Sequence, residues 1–132
     1  MKKYLFLAIV FLAIQTISAQ DSINEIDNNI YSTAAIEVKP DFSGGMQEFY
    51  KFVGGNYKTP NVKGLSGKIY VTFIIEKDGS ITDIKVIRDI GHGTGAEAVR
   101  VLSICPKWKP GEQNGKPVRV MYSLPIVIQT EK

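Results

Sequence analysis

The chain has 132 residues and 44% hydrophobic content, which supports one domain with its own core and leaves no room for a second. Sixteen basic and 13 acidic residues are interspersed to a net charge of +3. That excludes the concentrated positive field a nucleic-acid partner requires. With one cysteine and one histidine, an internal disulfide is excluded and a zinc site lacks any ligand pair at metal spacing.

Met1-Lys2-Lys3, the apolar run Tyr4 to Ile14 and the small-residue stretch ending at Ala19 match the three parts of an export signal. The apolar run falls short of the ~20 residues of a spanning helix. The expectation is a cleaved signal over 1–19 and a periplasmic location, the alternative being an inner-membrane anchor facing the periplasm. Cleavage removes Lys2 and Lys3, leaving 14 of the 16 basic residues against 13 acidic ones. The local group Lys107, Lys109 and Lys116 reads as a solvated rim.

Residues 20–37 are polar and read as a leader. Ala34 to Pro40 looks extended, because proline pushes its predecessor toward β geometry, and a short peripheral strand is expected there. The domain proper is placed at 38–132. Met46, Phe49, Tyr50 and Val53 recur at helical spacing, with Gly54-Gly55 as the stop. From Gly67 the period changes to two: Ile69, Val71, Phe73 and Ile75 share one face, Asp78-Gly79 marks a hairpin, and Ile81 to Arg88 returns.

Thr94 and Glu97 have capping-box spacing, and Ala98, Val101, Leu102 and Cys105 form the stripe of a second helix that Pro106 ends. Trp108 then needs an apolar wall, Asn114-Gly115 turns the chain, and Val118 to Ile128 alternates until Pro125 interrupts it. Proline cannot donate a ladder hydrogen bond, so this strand belongs at a sheet margin. The expected fold is α+β, in the order α-β-β-α-β: two helices on one face of a three-stranded antiparallel sheet, with the last strand beside the first and its outer edge open.

No catalytic chemistry emerges. Gly91-x-Gly93-x-x-Ala96 mimics a dinucleotide fingerprint but follows a hairpin strand, with no acidic residue at the ribose position. Cys105 and His92 are separated by the whole second helix, ~20 Å, whereas activation requires contact. Cys105 reads as a small core residue, Asp78 as a turn residue and Glu97 as a cap. Neither a cofactor nor a metal is expected, and the chain does not read as an enzyme.

Several motifs carry a resemblance. They are Pro40-Asp-Phe-Ser-Gly-Gly45, Asn56-Tyr-Lys-Thr-Pro60, the hairpin Gly67 to Ile81, Glu97-Ala-Val-Arg100, Pro106-Lys-Trp-Lys-Pro-Gly111, Asn114-Gly-Lys-Pro-Val118 and Leu124-Pro125. Together, over about residues 38–128, they resemble the C-terminal domain of TonB energy transducers. The resemblance implies a periplasmic module that takes the TonB box of an outer-membrane receptor as an added strand, in TonB-dependent transport. It implies a partner edge of Val118, Arg119, Val120, Met121, Tyr122, Ser123, Leu124, Ile126, Val127 and Ile128. Tyr57, Pro60, Trp108, Pro110, Gly111, Asn114 and Gly115 support that edge.

Full transducers carry a membrane anchor and a long spacer, whereas the polar leader here reaches only ~70 Å when extended. A short stand-alone exported member is therefore expected. Inner-membrane motor proteins are partners only if the N-terminus stays uncleaved. A homodimer through the open edge, acting as a structural adaptor without energy transduction, is the alternative reading.

Overall fold

The alternation of Ile69, Val71, Phe73 and Ile75 becomes the centre of the core: each is at most 1% exposed, while Lys68 and Tyr70 face solvent, because successive strand residues point to opposite faces. The computed structural model describes residues 26–132, so the expected signal at 1–19 lies outside the described residues. The elements are β1 (Ile30–Ser32), a 3-10 turn (Thr33–Ala35), α1 (Met46–Asn56), β2 (Ser66–Ile75), β3 (Ile81–Arg88), α2 (Thr94–Ser103), β4 (Gly111–Gln113) and β5 (Lys116–Gln129).

β2 is central. It pairs antiparallel with β3 on one side and with β5 on the other, so the last strand lies beside the first as expected. The expected three-stranded, wholly antiparallel sheet is nevertheless corrected. The sheet is mixed and has five strands, with β1 parallel to β5 at Arg119–Met121 and β4 antiparallel to its first residues. β4 exists because Asn114 and Gly115 both adopt positive φ, 54° and 74°. That two-residue turn folds Gly111–Gln113 back onto Lys116–Val118. The expected extended stretch after Ala34 contributes single bridges, Val38 to Glu112 and Asp41 to Lys109.

Both helices cover the apolar face. Phe49 and Val53 of α1 and Ala98, Val101 and Leu102 of α2 are buried with the β2 stripe and with Leu124, Ile126 and Ile128 of β5. α1 does not stop at Gly54-Gly55; it runs through both to Asn56. The Tyr57 N–H donates to the Val53 carbonyl at 2.8 Å and the Asn56 side-chain Nδ2 to the Phe52 carbonyl at 2.8 Å. These bonds extend the last turn past the glycines.

Trp108 finds its apolar wall among aromatic rings. It is 3% exposed, with centroids 4.9 Å from Phe49, 5.6 Å from Phe42, 5.3 Å from Tyr122 and 6.0 Å from Phe73. Such pairs each contribute roughly 0.5–1.5 kcal/mol beyond area burial. The backbone of Trp108 also clasps the β2–β3 turn, its N–H donating to the Gly79 carbonyl at 2.8 Å. Gly79 sits at φ 85°, and a Cβ there would lie 1.9 Å from the Trp108 carbonyl oxygen, so the clasp requires glycine.

Candidate functional site

β5 has a buried side and an open side, and the direction of its backbone groups follows from two observations. The Thr130 N–H donates to the Leu65 carbonyl at 2.9 Å, which continues the β2–β5 ladder by one pair and shows that even-numbered residues bond toward β2. The ladder from Ser66 opposite Gln129 to Ile75 opposite Val120 has no register shift, so odd-numbered residues turn their N–H and C=O groups the other way. Pro125 is odd. Its missing N–H therefore costs the β2 ladder nothing, the position at which a strand tolerates proline.

The expected partner edge thus divides into three parts. Val118 is paired with Gly111 in the β4 hairpin, and Arg119, Val120 and Met121 are already paired with β1. From Tyr122 to Gln129 the side away from β2 carries no strand among the described residues. On that stretch Ser123, Val127 and Gln129 each offer an outward N–H and C=O, and Pro125 offers its C=O. The side chains of Ser123, Pro125 and Val127 are exposed, whereas Leu124, Ile126 and Ile128 are buried. Tyr122 lies between the two regimes, stacked on its cross-strand partner Phe73 at 5.6 Å.

Two grooves flank the open stretch. One, of about 640 Å³, lies between Met121–Ser123, the turn after β1 at Ser32 and Thr33, and Met46 of α1. The other, of about 400 Å³, lies between Leu124–Val127 and the α1 residues Phe49, Tyr50, Val53 and Gly54. Strand addition places alternate side chains of the incoming segment on the helix side, over this second groove. Tyr50, read from spacing as a core residue, is 55% exposed and forms its wall. The helical period gave no signal for that role, since a groove-lining residue and a core residue share one helix face.

The residues expected to support the edge are spread over several elements. The Tyr57 hydroxyl donates to the Thr94 carbonyl at 2.8 Å; burial, followed by the charges of Glu97 and Asp89, pushes the phenol up to about 12. The Pro60 carbonyl accepts from the Val62 N–H at 2.9 Å, closing the turn that leads into β2. Pro110, half-buried, follows the paired backbone bonds between Asp41 and Lys109, 2.7 and 3.0 Å. Gly111 is buried where a Cβ would come within 2.7 Å of both Ile36 and Val120. Asn114 and Gly115 set the hairpin.

Two ionic clusters went unread in the sequence. The Arg119 guanidinium donates to both Glu76 carboxylate oxygens at 2.7 and 3.2 Å, fastening β5 to the end of β2. That bond, with a second from the Thr82 hydroxyl, holds the Glu76 carboxyl below its ordinary value. Glu97 does not cap its helix, which corrects the capping box. The N-cap is Gly93 in left-handed conformation, and the Thr94 hydroxyl donates to the Gly91 carbonyl at 2.6 Å. Glu97 instead accepts from Arg100 at 2.7 and 2.8 Å and from the Lys58 N–H at 2.6 Å.

Arg100 first, and then Lys58, draw the Glu97 carboxyl down to about 2 against the cost of burial. Sequence spacing cannot show a partner 39 residues away. His92 and Cys105 lie at opposite ends of α2; His92 is exposed, and Cys105 is half-buried, burial raising its thiol above its ordinary value. Among the described residues no group of three His, Cys, Asp or Glu side chains is placed to hold a metal ion, and no helix is long and apolar enough to cross a membrane.

The family described as Gram-negative bacterial TonB protein C-terminal matches residues 61–127, just over half the chain. The chain belongs to this TonB C-terminal family. The matched region starts at the turn before β2 and ends inside β5, so the TonB domain holds the central hairpin, α2, the Trp108 loop and the open edge. Among curated relatives, Protein TonB from each of two strains of Helicobacter pylori is 35% identical over 72 residues, 51% of this chain and 25% of the relative. The match thus spans a quarter of each relative's length.

Proposed function

We propose that this domain binds an extended partner segment by strand addition along Tyr122–Gln129, and that the partner is the TonB box of an outer-membrane receptor. The work is done in the periplasm, as part of TonB-dependent transport. The observation that carries this reading is the open side of β5, where the backbone groups of Ser123, Pro125 and Val127 have no strand partner among the described residues. Membership of the TonB C-terminal family supports the choice of partner. Backbone bonds supply affinity in such a contact, and the grooves on either side of Leu124 select the side chains that alternate onto the helix face.

The reading is non-enzymatic: the protein offers a surface, not a reacting group. Its test is the binding of a TonB-box peptide by calorimetry. Ser123→Pro removes one outward N–H while leaving the β2 ladder whole, and is expected to weaken binding roughly 5- to 30-fold, the loss of about 1–2 kcal/mol. Val127→Pro removes the next outward donor and is expected to act alike. Unchanged affinity in both folded variants places the contact elsewhere. Loss of self-association in sedimentation, with no peptide bound by the unsubstituted protein, assigns the edge to a second copy of the chain.

A further inference from the structure

The leader already occupies part of the edge that strand addition uses. Ile30, Tyr31 and Ser32 stand opposite Arg119, Val120 and Met121 in parallel register, on the side of β5 away from β2. The chain then leaves β5 through the 3-10 turn, with the Ser32 hydroxyl accepting from the Ala34 N–H at 3.2 Å. The open stretch begins one residue later, at Tyr122. An incoming strand and β1 therefore compete for one continuous row of backbone groups.

β1 is weakly held. It is three residues long, Ile30 is 46% exposed and Ser32 is exposed, and parallel pairing is the less stable kind per residue. Its side-chain ties are few. The Arg119 guanidinium reaches the Asn28 carbonyl and Lys77 the Asn28 side chain, each at 3.4 Å, and the Tyr31 hydroxyl bonds only to Asp27 of the leader itself. Beyond the turn the chain is firmly fixed. Val38 and Glu112 exchange two backbone bonds of 3.1 and 2.9 Å, and Asp41 and Lys109 exchange two more. Glu37 is tied as well, its N–H donating to the Gln113 side chain at 3.0 Å, so a hinge at the turn Thr33–Ala35 can release β1 without disturbing the domain.

We propose that β1 is a displaceable occupant of the docking edge. It covers Arg119–Met121 when the domain is unbound and lifts away when a partner strand long enough to pair along the whole edge arrives. This rests on the strand-addition reading. Its consequence is discrimination by length: a segment pairing only with Ser123–Gln129 leaves β1 in place, whereas one continuing to Arg119 must displace it and gains further backbone bonds in return.

The test uses Tyr31→Pro in the full chain. In a parallel pair a residue bonds to the two neighbours of its register partner. Tyr31, opposite Val120, is thus the residue whose N–H joins β1 to β5, and proline there releases the strand. Two TonB-box peptides serve as probes, a short one cut to pair with Ser123–Gln129 and a long one extended to reach Arg119. The expected result is a gain of roughly 5- to 10-fold for the long peptide, about 1–1.4 kcal/mol by the affinity relation, and no change for the short one. Both peptides binding with equal effects, or neither affected, overturns the proposal.

A second measurement stands apart from any peptide. In the unbound protein the Tyr31 and Met121 amides are expected to exchange hydrogen at least ~100-fold faster than those of Ile126 and Ile128. Equal protection overturns the displaceable strand. Failure of both peptides to bind, with fast exchange at Tyr31 and Met121, contradicts the strand-addition reading and leaves a labile β1.

Discussion

Ser32 stands opposite Met121 at the last pair of the β1–β5 ladder, and the next residue of β5, Tyr122, begins the stretch with no strand on its outer side among the described residues. Affinity for an added strand therefore depends on which backbone groups point outward beyond that pair. The direction is fixed by the even-numbered bond from Thr130 to Leu65. Two neighbouring proline substitutions are expected to behave very differently. Leu124→Pro removes a bond to β2 and buried side-chain volume, and is expected to lose more than roughly 3 kcal/mol of stability. Ser123→Pro is expected to stay within about 1 kcal/mol in urea unfolding. Equal losses would show that the phase of the strand is wrong.

The clasp at Gly79 gives a second expectation. Gly79→Ala is expected to cost roughly 3–5 kcal/mol, since the added methyl meets the Trp108 carbonyl oxygen at 1.9 Å in a backbone conformation that disfavours L residues. Chemical denaturation reads this directly, and a loss below about 1 kcal/mol would show that the loop carrying Trp108 shifts freely.

Trp108 itself is expected to be sensitive to size more than to polarity. Its indole N–H is buried with no oxygen or nitrogen acceptor and only the weakly accepting sulfur of Cys105 beside it, so Trp108→Phe gives up little hydrogen bonding along with some volume and is expected to cost roughly 1–2 kcal/mol. Trp108→Ala empties the space among Phe42, Phe49, Phe73 and Tyr122 and is expected to cost roughly 3–5 kcal/mol. Thermal unfolding of the two variants separates these effects.

Glu97 predicts an acid limb in the stability profile. Its carboxyl is depressed from 4.5 to about 2 when folded, so its stabilisation is fully present above the unfolded value. It is lost as pH falls from about 4.5 through 2, where the folded group takes up a proton. Glu97→Gln is expected to cost roughly 1–2 kcal/mol at neutral pH, a figure reduced for the partial exposure of the Arg100 pair. The variant is expected to converge with the unsubstituted protein near pH 2; a constant difference down to that pH would contradict the assignment.

The long elements of this fold were legible because they have a period. Ile69 to Ile75 alternates over nearly three turns of a pleat, and Ala98, Val101 and Leu102 fall on one helix stripe, so burial follows from spacing. The short elements were not. β1 and β4 have three residues each, too few to repeat a pattern, and both are made by backbone pairing with β5, not by their own side chains.

The expected stop at Gly54-Gly55 fails because the Tyr57 N–H bonds back to Val53 and the Asn56 side chain to Phe52. Thr94 and Glu97 had the spacing of a cap, but the left-handed Gly93 took that place and Glu97 turned to Lys58. For the candidate edge, Pro125 pointed to a strand with an open outer side, but β5 lies between β1 and β2 and, among the described residues, is open only beyond Met121. What no pattern revealed was that the leader lies on the same margin and narrows the open part to Tyr122–Gln129.

Strand addition at β5 is read directly by titrating isotope-labelled protein with a TonB-box peptide and following every backbone amide by NMR. The largest shifts are expected on Ser123, Val127 and Gln129, the outward donors, with smaller ones at Tyr50 and Gly54 beside the groove and none at the β3 margin. Shifts centred on β3 or on the Gly91–Gly93 loop, or no shifts at saturating peptide, would contradict it.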